Sequence, residues 1–154
     1  MRWLAAGSMV IILFTGCGAA EVEEAESGEP SMHTEEWELS GGFDEEEYTW
    51  EFDFNNISGE PLDLSFNSGQ EINVFIYKEG ESEPVYNYAD EKVFTQSLKE
   101  ITIRDGNTRK WEEDVDFDLM EPGNYTISFE LLVSEINGTS PEQPIELEDH
   151  FSIE

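Results

Sequence analysis

Residues 48–54 read Tyr48-Thr49-Trp50-Glu51-Phe52-Asp53-Phe54. An aromatic ring stands at every even position, with Thr, Glu and Asp between. Successive side chains of a strand point to opposite faces, so this spacing puts the rings on one face and the polar groups on the other. At 3.6 residues per turn a helix would scatter the same rings around its circumference. The stretch therefore reads as a strand with one face in a core and one in water.

The same period of two recurs along the chain. Leu62, Leu64 and Phe66 alternate with Asp63 and Ser65, and Ile72, Val74 and Ile76 with Asn73 and Phe75. Ile101 and Ile103 follow. Val115, Phe117 and Leu119 alternate with Asp116 and Asp118, and Tyr125, Ile127, Phe129 and Leu131 with Thr126, Ser128 and Glu130. Between the runs lie Ser58-Gly59, Asn67-Ser68-Gly69, Lys78-Glu79-Gly80, Asp105-Gly106-Asn107, Pro122-Gly123 and Asn137-Gly138. These residues preset a turn or tolerate positive φ. Asn137-Gly138 is the pair a type I′ hairpin turn prefers. Ala89 to Leu98 breaks the alternation and reads as one short helical turn. About seven or eight short strands with such punctuation predict an all-β fold, an immunoglobulin-like antiparallel β-sandwich. Trp50, Phe52, Phe54, Phe66, Val74, Ile127 and Phe129 are the expected core. Leu119 to Tyr125 resembles the corner of such sandwiches, in which a Tyr hydroxyl bonds back to the backbone.

Residues 1–17 bear on location. Met1-Arg2 precedes a largely apolar run from Trp3 to Phe14 and then Thr15-Gly16-Cys17. A positive start, a short apolar stretch and small residues make an export signal. The run is too short to cross a hydrocarbon core of ~30 Å at 1.5 Å per residue. Cys17 is the single cysteine. Its setting resembles the lipobox of bacterial lipoproteins, with Phe14 where Leu is usual. That resemblance implies cleavage before Cys17 and a diacylglyceryl group on its sulfur. Two acyl chains anchor a domain stably. The expected organisation is a signal peptide over 1–16, a lipidated, disordered acidic tether over 17–36, and one domain over 37–154. The tether is Ala, Glu, Gly, Pro and Ser with almost no large apolar residue, which cannot bury a core. The expected location is extracytoplasmic, at the cell membrane.

Acidic residues number 37 against 7 basic ones, for a formal net charge of −30. A charge of this sign and size repels nucleic acid and anionic lipid, which excludes nucleic-acid binding. It also fits a saline or alkaline medium, where salt screens the repulsion. Lys92, Lys99, Arg104, Arg109 and Lys110 cluster with only Glu100 and Asp105 as acids between them. Such a cluster either balances acidic neighbours or forms a docking patch. Arg104, Arg109 and Lys110 are the candidate partner-binding residues.

No catalytic constellation appears. His33 and His150 accompany no nucleophile motif, no Ser lies in Gly-x-Ser-x-Gly, and no Gly-rich phosphate loop is present. Asp114, Asp116 and Asp118 resemble the start of a calcium loop, but Leu119 stands where that loop needs Gly. They read as one solvated strand face. The chain is expected to be no enzyme and to use no metal or cofactor.

Ordered stretches from residue 48 to 131 carry a family resemblance. Phe52-x-Phe54-x-Asn56 precedes Leu62-x-Leu64-x-Phe66, and Ser68-Gly69-Gln70 leads into Ile72-Asn73-Val74. Val85-Tyr86-Asn87-Tyr88 runs into Ala89 to Leu98 with its Phe94-Thr95-Gln96, and Trp111 and Pro122-Gly123-x-Tyr125 follow. This set resembles the BsuPI family, named for a bacillar intracellular proteinase inhibitor. Asn73, Tyr88 and Asp105-Gly106-Asn107 depart from the family's usual residues. The resemblance implies a β-sandwich that regulates a proteinase, and a subtilisin-like serine proteinase is the expected partner. Lys78 to Pro84 and Arg104 to Lys110 are the candidate loops. The other reading is a non-inhibitory surface interaction or adhesion module, using Phe75, Tyr77, Tyr86 and Trp111 as exposed contacts.

Overall fold

The computed structural model describes residues 21–23 and 30–154. The signal peptide, Cys17 and the tether at 17–20 and 24–29 lie outside them. The strands are β1 (Glu21–Glu23), β2 (Ser31–His33), β3 (Trp37–Asp44), β4 (Thr49–Asn56), β5 (Leu62–Phe66), β6 (Ile72–Lys78), β7 (Tyr86–Asn87), β8 (Lys99–Ile103), β9 (Thr108–Asp114), β10 (Gly123–Leu131), β11 (Val133–Ile136) and β12 (Ile145–Ile153). They form three sheets, ordered β1-β2-β3-β4-β9, β12-β10-β6-β7 and β11-β5-β8. Every pairing is antiparallel. The fold is all-β, a sandwich, as the alternation predicts.

The core follows directly from that alternation. Along β4, Trp50, Phe52 and Phe54 are fully buried while Glu51 is exposed. Along β10, Tyr125, Ile127, Phe129 and Leu131 are buried. The first two sheets meet where Phe52 stacks on Phe129, centroids 4.9 Å apart, and Trp50 meets the same ring at 6.1 Å. The third sheet adds Leu62, Leu64, Phe66 and Ile103 to the same cluster. Trp50 donates its indole N–H to the Tyr86 hydroxyl at 3.1 Å. Burial pushes that phenol up to about 12, so it accepts as a neutral group. The corner also forms: the Tyr125 hydroxyl donates to the Glu121 carbonyl at 2.5 Å.

Four local expectations change. Ser31–His33, read as tether, is a strand paired with Glu38–Ser40, and β1 extends the same sheet. The Thr34 side chain makes the turn by accepting from the Trp37 amide at 2.9 Å and donating to its carbonyl at 3.0 Å. The strand read through Leu119 stops at Asp114. Asp116 accepts from the Asp118 amide at 3.0 Å and caps a 3₁₀ turn over Phe117–Leu119. That local bond displaces the ladder, and it leaves Phe117 and Leu119 exposed. Tyr88 to Glu91 makes tight turns instead of a helical one. Glu91 at φ 61° reverses the hand of the backbone there. Asn137 and Gly138 take φ 50° and 75°, but the turn closes a single bridge from Ile136 to Thr139, because β11 pairs with β5. Twelve strands among the described residues, several very short, replace the expected seven or eight.

One polar group ties the three sheets together. Glu71, just before β6, is 6% exposed. Its carboxylate accepts from Lys99 Nζ on β8. It accepts from Arg109 Nε at 3.1 Å and Nη2 at 2.9 Å, and from Trp111 Nε1 at 2.9 Å, both on β9. Burial alone would push this carboxyl up, but the bonds from Lys99, Arg109 and Trp111 outweigh it and hold it below the ordinary 4.5.

Two outcomes test this architecture. Phe129→Ala should lower the unfolding free energy by ~3–5 kcal/mol, the range for emptying a buried Phe site. A loss under about 1 kcal/mol would mean that the ring is not at the sheet interface. Glu71 is depressed on folding, so its contribution is complete above 4.5 and disappears as pH falls through its lowered folded value. Urea unfolding between neutral and acid pH should therefore show a shallower acid-side decline for Glu71→Gln than for the wild type. Parallel declines would remove Glu71 from the account.

Candidate functional site

The structure separates the three basic candidates. Arg109 is bound to Glu71, and releasing it would leave a buried acceptor short of a donor at ~1–3 kcal/mol. Lys110 pairs with Glu51 at 2.7 Å and Glu112 at 3.3 Å. Both are already engaged in ion pairs. Among the described residues, Lys78, Lys92, Lys99, Arg109 and Lys110 all sit in ion pairs, and Arg104 is the one basic side chain outside them.

Arg104 opens the turn between β8 and β9 and is exposed. The turn itself is fixed. Asn107 N donates to the Arg104 carbonyl at 3.0 Å, and Gly106 takes φ 72°. Asp105 accepts from the Gly59 amide at 2.9 Å. Beneath it lies Asn56, fully buried. Its Nδ2 donates to the carbonyls of Glu60 at 2.7 Å and Ile103 at 2.8 Å, and its Oδ1 accepts from the Ser58 amide at 2.9 Å and hydroxyl at 2.8 Å. Its backbone bonds Gly106 and Asn107.

The second candidate loop, Lys78 to Pro84, carries Glu79, Glu81 and Glu83. Lys78 pairs with Glu121 at 2.8 Å, and Asn124 holds Glu79 through side chain and backbone. Of the aromatics read as exposed contacts, Trp111 is buried on Glu71 and the Tyr86 hydroxyl is taken by Trp50. Phe75 and Tyr77 are half-buried, with rings 6.2 Å apart.

Sequence reasoning missed a third loop, Lys92 to Lys99. Residues 92–95 run without turn or bend, and the chain bends at Gln96–Ser97. Val93 is 98% exposed and Leu98 83%. Lys92 bonds both Glu113 carboxylate oxygens at 2.9 Å and lies 4.3 Å from the centroid of the Tyr88 ring. Phe94 leans inward, 6.2 Å from Tyr88. The Thr95 carbonyl accepts from the Gly69 amide at 2.8 Å. A Cβ on Gly69 would lie 2.6 Å from Thr95 Oγ1 and 3.1 Å from Thr95 N, so only Gly lets the loop sit this close. Lys99 closes the segment on Glu71. A legible signal existed: Lys92-Val93-Phe94-Thr95-Gln96-Ser97-Leu98-Lys99 contains no acid in a chain with 37.

No curated protein matches the chain. The family model named BsuPI, described as intracellular proteinase inhibitor, matches residues 23–136. The match includes all three loops and both polar hubs. It stops short of β12, although Ile145, Leu147, Phe151 and Ile153 of that strand complete the core. With the matched segment covering most of the chain and folding as one sandwich with its core, this chain belongs to the BsuPI family of intracellular proteinase inhibitors.

Proposed function

We propose that this chain is a proteinase inhibitor or regulator held at the outer face of a cell membrane by a diacylglyceryl group on Cys17. It acts by binding, not catalysis, and its target is a subtilisin-like serine proteinase. The observation that carries the reading is the family match over residues 23–136, which spans the three loops described above. Rigid loops suit inhibition, because a segment fixed before binding loses little conformational entropy on docking. The anchor rests on Phe14-Thr15-Gly16-Cys17. The net charge of −30 supports a domain that stands off an anionic lipid surface.

Titration of the purified protein against a panel of secreted subtilisin-like proteinases should give inhibition at about 10 μM or below for at least one of them. No inhibition across the panel at several times that concentration would sink the reading. The anchor has its own test. In a bacterial host, Cys17→Ala should shift the protein from the membrane fraction to the medium, or leave it as uncleaved precursor. A cleaved Cys17→Ala product that stays with the membrane would rule the lipid out.

A further inference from the structure

We propose that the segment from Val93 to Leu98 is the surface that docks into the substrate cleft of the target proteinase. This rests on the inhibitor reading above and names its contact surface. Val93 is 98% and Leu98 83% exposed, the two most exposed large apolar side chains among the described residues, and they stand on a loop clamped at both ends. Every fixing contact falls on the other residues. Lys92 is pinned to Glu113, Phe94 to Tyr88, Thr95 to Gly69 and Lys99 to Glu71. The two apolar side chains stand in solvent.

The backbone is equally available. Among the described residues, the Thr95 carbonyl is the one main-chain group of residues 93–98 in a hydrogen bond. Proteinase clefts bind substrate as an unbent strand through main-chain hydrogen bonds, with pockets for side chains. Residues 92–95 carry no turn or bend, and from Val93 on their main chain is open to such pairing except at the Thr95 carbonyl. The segment from Lys92 to Lys99 carries no acid, so it adds none of the negative charge that would repel an acidic rim. The partner that fits is an endopeptidase with apolar subsites and a neutral or acidic cleft rim. Arg104, at the other end of β8, lies off this surface.

The test compares four forms of the protein as its host cell processes it, purified in detergent micelles: wild type, Val93→Asp with Leu98→Asp, Gly69→Ala, and Arg104→Glu. Inhibition constants are measured against a proteinase that the wild type inhibits. Thermal unfolding midpoints confirm that each form is folded. The double variant alters only exposed side chains, so its midpoint should match the wild type. Its inhibition should weaken by about tenfold or more, as for loss of central interface residues. Gly69→Ala displaces Thr95 and should also weaken inhibition, and Arg104→Glu should change it by less than about twofold, as rim charges do. A folded double variant as potent as the wild type overturns the loop assignment and leaves the inhibitor reading standing. So does a larger loss from Arg104→Glu than from the double variant. A Gly69→Ala form of unchanged potency overturns the role given to the Gly69 clamp. A wild type that inhibits none of the panel overturns both this inference and the reading beneath it.

Discussion

The carboxylate of Glu71 is the constraint on which the arrangement of sheets depends. A carboxylate taken out of water costs several kcal/mol unless donors replace its hydration. Here Lys99, Arg109 and Trp111 supply them, and each stands on a strand of another sheet. Hydrophobic contact between sheets is non-directional and would tolerate sliding. A bidentate guanidinium and an indole N–H aimed at the same oxygens would not, because their geometry is fixed. The aromatic core supplies most of the stabilisation, and Glu71 fixes the relative position of the layers.

That position fixes the surface in turn. Lys99 and Arg109 lie on β8 and β9, so the two strands are referenced to β6 through one group. Asn56 does the equivalent work at the other end of β8, with amide bonds instead of charge. The loop from Lys92 to Lys99 is therefore footed on a rigid frame, through Glu113, Gly69 and Glu71. In a chain with 7 basic and 37 acidic residues, every described Lys and Arg except Arg104 is held in an ion pair with an acid.

Much of this was legible in the sequence, and the failures share a cause. Period-two alternation located β4, β5, β6 and β10 and the core residues on them, because burial of one face leaves a trace at every second position. The Tyr125 corner was legible because Pro122-Gly123 fixes the turn that places the hydroxyl. The alternation from Val115 to Leu119 misled, because a local bond from the Asp116 side chain outcompeted a ladder that period alone cannot detect. Glu71 was not legible. One Glu among 37 acids carries no mark, and its three partners lie 28 to 40 residues away. The docking loop was hidden for a related reason: Phe94-Thr95-Gln96 contributed to a family resemblance, but nothing local shows that Val93 and Leu98 face outward. Of the basic cluster, Lys92, Lys99, Arg109 and Lys110 balance acidic neighbours in ion pairs, which is one of the two roles their spacing allowed.

Glu71 is a buried, ionised acceptor joining the three sheets. Nuclear magnetic resonance titration of its side-chain carboxyl carbon, recorded with the Trp111 indole N–H signal, tests it most directly. The carboxyl should titrate below its ordinary 4.5, with the indole signal shifting in step as the shared oxygen is protonated. A carboxyl that titrates at or above 4.5, with an indole signal indifferent to it, would contradict the account.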